Sequence, residues 1–228
     1  MIRKFVRGTL TLAILGPLVA TCTGTAFAEG KGAKVKVTVT NLTRGQIISP
    51  VVVATHTNAM NPLFVLGAPA SSELTTMAED AHAAPLIAML SGDPTVLDVQ
   101  TLFGDMGPIM PGESASVVVN SRGNFRNLSM VGMLVTTNDA FFALNGVRAP
   151  RTGSEVHYSP GYDAGSESNN EDCAFIPGPP CGNANVRDVT NAEGYVHIHA
   201  GIHEIGNLTS SMHDWRNPVA KITINRFH

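Results

Sequence analysis

A strict alternation of apolar and polar residues near the start of the chain limits the fold more than any other pattern in it. From Lys34 to Thr40 every second residue is valine, and lysine or threonine stands between the valines. Successive side chains of a β-strand point to opposite faces, so this segment predicts a half-buried strand. Further apolar stretches separated by glycine and proline predict strands at 47–56, 114–120, 128–136, 194–200 and 219–227. Many short strands favour an all-β fold, an antiparallel β-sandwich.

Three segments between the predicted strands have other patterns. Ser71 or Ser72 can cap a short helical insertion that continues through Leu90, and Pro85 is expected to divide it into two pieces. A second short helical or extended turn is expected after Asp93. The region 150–189 is rich in glycine, proline, serine, asparagine and acidic residues, and it is predicted to be a long surface loop.

The first 28 residues have the pattern of a secretory signal peptide. Three basic residues precede an apolar stretch at 10–20, and the small residues at 26 and 28 fit a cleavage site. The apolar stretch is too short for a membrane-spanning helix, which needs about 20 residues. A lipoprotein anchored through Cys22 is the weaker alternative. We therefore expect cleavage after residue 28, a flexible stretch over 29–33, one domain over 34–228, and a secreted or periplasmic protein.

The charge and the cysteines of the mature chain narrow its partners and its chemistry. Removal of the signal segment leaves 12 basic and 18 acidic residues, a formal charge of −6, whereas nucleic-acid binding needs clustered lysine and arginine. No later segment is apolar for long enough to span a membrane. We expect an extracellular or envelope protein or glycan as the partner. Cys173 and Cys181 remain as an even pair, which predicts a disulfide in an oxidising compartment; two free thiols are the alternative.

An acidic group of residues predicts a calcium site. Asp139 ends an apolar stretch, and Asp163 and Glu167 lie in the long loop that follows. Calcium takes six to eight hard oxygen ligands, usually from loops at the end of a rigid scaffold. Gly165 would let the chain turn so that Asp163 and Glu167 face one centre. The alternative is that these acids are ordinary solvated surface residues.

A histidine group predicts a second, competing metal site. His197 and His199 are two apart on a predicted strand and so share a face, and His203 could fold back past Gly201. Imidazole suits copper or zinc. The alternative is that the three histidines are hydrogen-bonded structural residues. The chain has no Gly-x-Ser-x-Gly elbow, no phosphate-binding glycine loop and no His-Glu-x-x-His motif, so a non-enzymatic protein is expected.

Several blocks of sequence follow one another in a recognisable order along the chain: 72–74 with 78–80, 133–141, 162–167, 194–203 and 214–220. Together they resemble spondin domains, and they are most similar to the single-domain bacterial form. The resemblance implies an eight-stranded antiparallel β-sandwich, an extracellular matrix or adhesion role, and a calcium site at one end of the sandwich. The implied ligands are Asp139, Asp163 and Glu167, and the animal F-spondin domain has aspartate where this chain has Glu167.

Three hypotheses follow for the function. The first is a calcium-binding, spondin-like protein with an adhesion, matrix or surface-interaction role. The second is a copper or zinc protein, either a metal carrier or a small oxidoreductase, built on His197, His199 and His203. The third is a packing module in which neither site holds a metal.

Overall fold

Two antiparallel β-sheets form the body of the protein. The computed structural model describes residues 33–227, so the predicted signal segment and most of the predicted flexible stretch lie outside the described residues. The ten strands are β1 (Ala33–Asn41), β2 (Val51–His56), β3 (Val96–Leu102), β4 (Ser114–Ser121), β5 (Asn127–Met133), β6 (Ala140–Arg148), β7 (Gly153–Ser159), β8 (Gly161–Asp163), β9 (His197–Ile198) and β10 (Ala220–Phe227). The four-stranded sheet has the order β4-β1-β10-β7, and the six-stranded sheet has the order β3-β2-β5-β6-β8-β9.

The alternation that predicts β1 is confirmed. Val35, Val37 and Val39 are fully buried, and Lys34 and Lys36 are exposed. The buried valines belong to one apolar core that also contains inner-face residues of the six-stranded sheet. The two sheets therefore share one core between their facing surfaces, which gives a sandwich-like arrangement.

A second apolar core lies on the other side of the six-stranded sheet. There the helices α1 (Ser72–Asp80) and α2 (Ala84–Gly92) pack against side chains of β2, β5 and β6. The hydroxyl of Ser71 accepts a hydrogen bond from the backbone N–H of Leu74, so Ser71 is the N-cap. The predicted division of the helix is confirmed, but the chain turns at Ala81, in the left-handed region, and Pro85 lies in the first turn of α2. Proline is tolerated there because that N–H has no partner within the helix.

Several strand boundaries and the strand count differ from the prediction. Residues 33–227 form ten strands, whereas eight are predicted. A strand, β3, follows Asp93 where a turn is expected, and the predicted loop 150–189 contains β7 and β8. Both faces of β5 and the first half of β6 are buried, so these strands lack alternation. The edge strand β7 is mostly exposed, so its polar composition resembles that of a loop. Only residues 197–198 of the predicted strand 194–200 pair, as β9.

The predicted disulfide between Cys173 and Cys181 is present. It closes a loop that is anchored in the core between the two sheets. The two residues are eight apart in sequence, and Ile176 between them is fully buried. A short 3-10 helix, Cys173–Phe175, begins the loop, and a four-residue helix, α3 (Ser210–His213), precedes β10. No helix among the described residues is long and apolar enough to cross a membrane.

Removal of the disulfide is expected to lower the stability of the protein by about 2.5 kcal/mol, the chain-entropy value for a loop of this length. For a domain of this size that loss corresponds to a melting temperature about 5–10 °C lower. Calorimetry on the double variant Cys173→Ser/Cys181→Ser measures it. A reducing agent should lower the melting temperature of the native protein by a similar amount and leave the double variant unchanged. Equal melting temperatures for the two proteins would contradict the expectation.

Candidate metal centre at the Asp163 end of the sandwich

The ends of three neighbouring strands bring the predicted acidic and histidine groups together. Asp139 directly precedes β6, whose first residue, Ala140, pairs with Asp163 at the end of β8. Asp163 in turn pairs with His197 in β9. Residues that are 58 positions apart in the chain therefore meet at one edge of the six-stranded sheet. Because Asp163 lies in the middle strand, it belongs to both groups.

Asp139 is a fully buried carboxylate with one oxygen that has no partner. Its Oδ2 accepts hydrogen bonds from the backbone N–H groups of Ser166 (2.7 Å) and Glu167 (3.0 Å) and from the Ser166 hydroxyl (3.1 Å). Its Oδ1 is buried and accepts no hydrogen bond from any described residue. Burial, together with the charge of Asp163, raises the pKa of Asp139 to about 8. The unpartnered oxygen is the kind of atom that a cation would bind.

Asp163 is also fully buried, and both of its oxygens have contacts. Oδ1 accepts from the backbone N–H of Gly165 at 2.7 Å, and Oδ2 accepts from the Asn169 side chain at 2.6 Å. Nδ1 of His197 lies 3.8 Å from Oδ1, and Nε2 of His199 lies 3.8 Å from Oδ2. Burial raises the pKa of Asp163. The carboxylate is thus oriented by two donors and approached by two imidazole rings.

Glu167 extends the buried acidic group towards helix α1. Its Oε1 accepts a hydrogen bond from the backbone N–H of Asp188 at 3.0 Å. Burial, followed by the charges of Glu79 and Asp139, raises its pKa to about 8. Glu79 is itself buried and pairs with Arg187, the one lysine or arginine that forms an ion pair with this group among residues 33–227.

The charge of this region is therefore unbalanced. The region holds four buried carboxylates, those of Glu79, Asp139, Asp163 and Glu167. Among the described residues only Glu79 of these four pairs with a guanidinium, that of Arg187, which is 40% exposed. Taking a carboxylate out of water costs several kcal/mol unless an opposite charge or a proton compensates it. Either protons or a bound cation must supply the missing compensation.

The three predicted calcium ligands do not form the tightest cluster. Two ligands on opposite sides of a metal at about 2.4 Å lie about 4.8 Å apart, so the ligand atoms of a formed site fall within that distance of one another. Among the described residues this condition is met by one group, Asp163, Glu193 and His197. Asp139 and Glu167 contact the Asp163 loop but lie outside this group. Their role in calcium binding stays a prediction.

The three histidines have different environments. His199 is buried, and its Nδ1 accepts a hydrogen bond from the backbone N–H of Gly201 at 2.9 Å, so in the neutral ring the proton is on Nε2, which faces Asp163. Burial lowers the pKa of His199 to about 4, which keeps the ring neutral. The ring also packs against Trp215 at a centroid distance of 4.9 Å. His199 is therefore suited to orient Asp163 rather than to bind a metal through Nε2.

His197 and His203 line a small cavity beside Asp163. The cavity has a volume of about 150 Å³, and its other lining residues include Asn169, Glu171 and Glu193. Nδ1 of His197 lies 3.2 Å from the carbonyl oxygen of Tyr195, to which it donates when it carries the proton. It could bind a metal in the tautomer that is protonated on Nε2. His203 is held by its own backbone N–H, which donates to the buried carboxylate of Glu171. The structure thus brings all three histidines to this end. His197 and His199 approach Asp163 equally closely, and of the three only His197 belongs to the group with Asp163 and Glu193 among the described residues.

Some residues of the centre were not predicted from the sequence. Glu193 lies 30 residues beyond Asp163 in a segment without regular structure, and the Asn169 side chain donates to both carboxylates. Glu79 lies within the predicted helix, and its buried position beside Glu167 follows from how α1 packs on the sheet. For Glu171 the sequence offers only the acidic composition of the region 150–189. Gly165 has a φ of +66°, as the predicted turn requires.

Comparison with known proteins adds no assignment. No protein-family model matches the chain, and no curated protein matches it at a significant level. The resemblance to spondin domains therefore stays a prediction.

Proposed function

We propose that this chain is an exported, non-enzymatic β-sandwich protein that binds a divalent metal ion, calcium first, at its Asp163 end. The observation that carries the proposal is the group of four buried carboxylates with one guanidinium, in which Oδ1 of Asp139 has no partner among the described residues. The raised pKa values of Asp139, Asp163 and Glu167 indicate that these carboxyl groups hold protons when no metal is bound. A divalent cation would replace those protons.

Oxygen chemistry favours calcium at this end of the sandwich. Asp139, Asp163 and Glu167 offer carboxylate oxygens on loops at the end of a rigid sheet, which is the donor type that calcium prefers. Their approach to one ion requires the loop 163–167 to close further towards Asp139. The hydrogen bonds from Ser166 and Glu167 to Asp139 already hold the two segments together. Extracellular calcium modules bind in the range of about 10⁻⁴ to 10⁻³ M.

The setting and the role of the protein rest on separate observations. The disulfide between Cys173 and Cys181 fits an oxidising compartment, and the signal-like N-terminus fits export. A bound ion would fix the loops around Asp139 and Asp163 and so shape a surface for an extracellular or envelope protein or glycan. This role agrees with the spondin-like sequence blocks.

A second candidate is a transition-metal protein, favoured by the close approach of Asp163, Glu193 and His197. One imidazole nitrogen and two carboxylate oxygens suit zinc or copper better than calcium. Two neighbouring side chains would orient these ligands. Asn169 donates hydrogen bonds to both carboxylates, and His199 faces Asp163. A carrier or a small oxidoreductase would then be the function.

Metal-dependent melting of protein stripped with EDTA is expected to distinguish the two candidates. At a calcium concentration of ten times the Kd, binding to the folded state adds about 1.4 kcal/mol, which corresponds to a melting temperature about 3–5 °C higher. Asp139→Asn should abolish this rise, whereas His197→Gln should retain it. Asp105→Asn, an exposed acid outside the group, is the matched control.

The reverse pattern would select the transition metal. In that case zinc raises the melting temperature, and His197→Gln and Glu193→Gln abolish the rise while Asp139→Asn retains it. If neither metal changes the melting temperature of the native protein, both candidates are wrong and the domain is a packing module.

A further inference from the structure

A group of arginines lies at the end of the sandwich opposite to Asp163. Strand β6 begins directly after Asp139 and ends at Arg148, and nine residues of extended chain span about 27 Å. Arg148 pairs with Asn127 across β5 and β6, and the next residue, Ala149, donates its N–H to the carbonyl of Arg126 at 2.7 Å. Arg151 follows in the turn before β7, whose first residue pairs with Arg226 in β10.

These four arginines have no acidic partners within the part of the chain that the structure describes. The ion pairs found there involve other residues, and none includes Arg126, Arg148, Arg151 or Arg226. Burial and the positive charges of the other three lower the pKa of Arg126. This local excess of positive charge contrasts with the negative charge of the whole chain.

Some guanidinium donors of this group are buried and unpaired. Nε of Arg126 and both Nε and Nη1 of Arg226 are inaccessible to solvent and make no hydrogen bond to any described residue. An unpaired buried donor on a charged group is costly, and like charges in close proximity add to that cost. A bound anion beside these guanidinium groups would offset their like charges.

The arginines border a cleft large enough for a small molecule. The cleft has a volume of about 620 Å³, which is within the usual range for ligand sites. Arg126 and Arg148 line it, and the remaining lining consists of amide, hydroxyl, methyl and glycine groups without any carboxylate: Thr57, Asn58, Ala59, Gly123, Asn124 and Asn127. Guanidinium forks bind phosphate and sulfate oxygens in pairs, and amides and hydroxyls suit the hydroxyl groups of a sugar.

We propose that this cleft binds an oxyanion, a phosphate or sulfate group, with Arg126 and Arg148 as its direct ligands and Arg151 and Arg226 as supporting charges. The size and the amide lining of the cleft favour an anion carried on a molecule of sugar size over the free ion. This site is independent of the metal centre, because it lies at the other end of β6 and shares no residue with it.

Isothermal titration calorimetry with defined probes tests the proposal. The probes are inorganic phosphate, inorganic sulfate, a sulfated disaccharide and the same disaccharide without its sulfates. We expect a sulfated or phosphate probe to bind, and the Kd to rise at least tenfold in Arg126→Gln/Arg148→Gln. Arg44→Gln, an exposed arginine outside the cleft, makes the same chemical change and should leave the Kd unchanged. If the double variant folds poorly, the single variant Arg148→Gln replaces it in the test, because Arg148 is exposed.

The outcomes decide both the proposal and the source of the anion. Tighter binding of the sulfated disaccharide than of inorganic sulfate supports an esterified ligand, and equal binding of the two supports a free anion. The proposal is overturned if no anion binds, if the unsulfated disaccharide binds as tightly as the sulfated one, or if Arg44→Gln weakens binding as much as the double variant does.

Discussion

Metal-free protein is expected to lose stability as the pH rises from about 4 to about 8. Asp139 and Glu167 have pKa values of about 8 in the folded protein, against ordinary values of 3.8 and 4.5 in the unfolded chain. Between these values the folded protein keeps protons that the unfolded chain has released, so each step in pH favours unfolding. One pKa unit corresponds to about 1.4 kcal/mol per group, so the two groups together can remove several kcal/mol.

Chemical denaturation in EDTA at a series of pH values measures this loss. His199 has the opposite effect, because its pKa is lower in the folded protein than in the unfolded chain. It therefore destabilises the folded protein only as the pH falls below about 6.5. The slope of stability against pH is best measured between about pH 7 and pH 8, where His199 does not contribute. Asp139→Asn should reduce the slope, and Asp105→Asn should leave it as in the native protein. A saturating metal should flatten it, since metal-bound carboxylates are already deprotonated. Equal slopes in the native protein and in Asp139→Asn would show that Asp139 does not titrate in this way.

Gly165→Ala is expected to destabilise the protein and to abolish metal binding. The residue has a φ of +66°, and a Cβ there would lie 2.3 Å from the carbonyl oxygen and 2.6 Å from the nitrogen of Tyr195. Both contacts are with backbone, so the segment that carries His197 must move. We expect a loss of about 1 kcal/mol from the backbone conformation and about 1–3 kcal/mol more from the displaced segment.

Gly153→Ala is the matched control for this substitution. Its φ of +70° is nearly the same, but a Cβ there meets no atom within 4 Å. It should therefore show the conformational loss alone, with metal affinity unchanged. Calorimetry gives both stabilities, and titration with the metal identified for the native protein gives the affinities. If the two alanine variants are equally stable and bind metal equally well, the contact with Tyr195 is unimportant.

The two proposed sites place opposite charge at opposite ends of one strand. β6 connects a buried acidic end at Asp139 with an arginine-rich end at Arg148. The first half of β6 is buried and apolar, with Phe141 and Phe142 facing the two separate cores. Such an arrangement allows the two ends to bind different ligands, a cation and an anion, on one rigid scaffold.

Local patterns in the sequence were sufficient for several elements. The valines of β1 alternate because one face of the strand meets the core, and Ser71 caps α1 through its own hydroxyl. Gly165 was predicted to turn the chain because glycine adopts positive φ at little cost, and the pairing of Cys173 with Cys181 followed from an even cysteine count. In each case the physical cause acts within a few residues or between two residues of one type.

The parts that were missed depend on contacts between distant segments. β5 is buried on both faces because helices cover one side of its sheet, so no period of two is visible in its sequence. Glu193 meets Asp163 only because the chain returns past β9, and the tautomer of His199 depends on a backbone N–H of Gly201. The sequence by itself determined an all-β chain and the segments that carry the acidic residues, the histidines and the cysteines. Only the tertiary structure decided which of them share one centre, because strand pairing brings together residues that no local pattern connects.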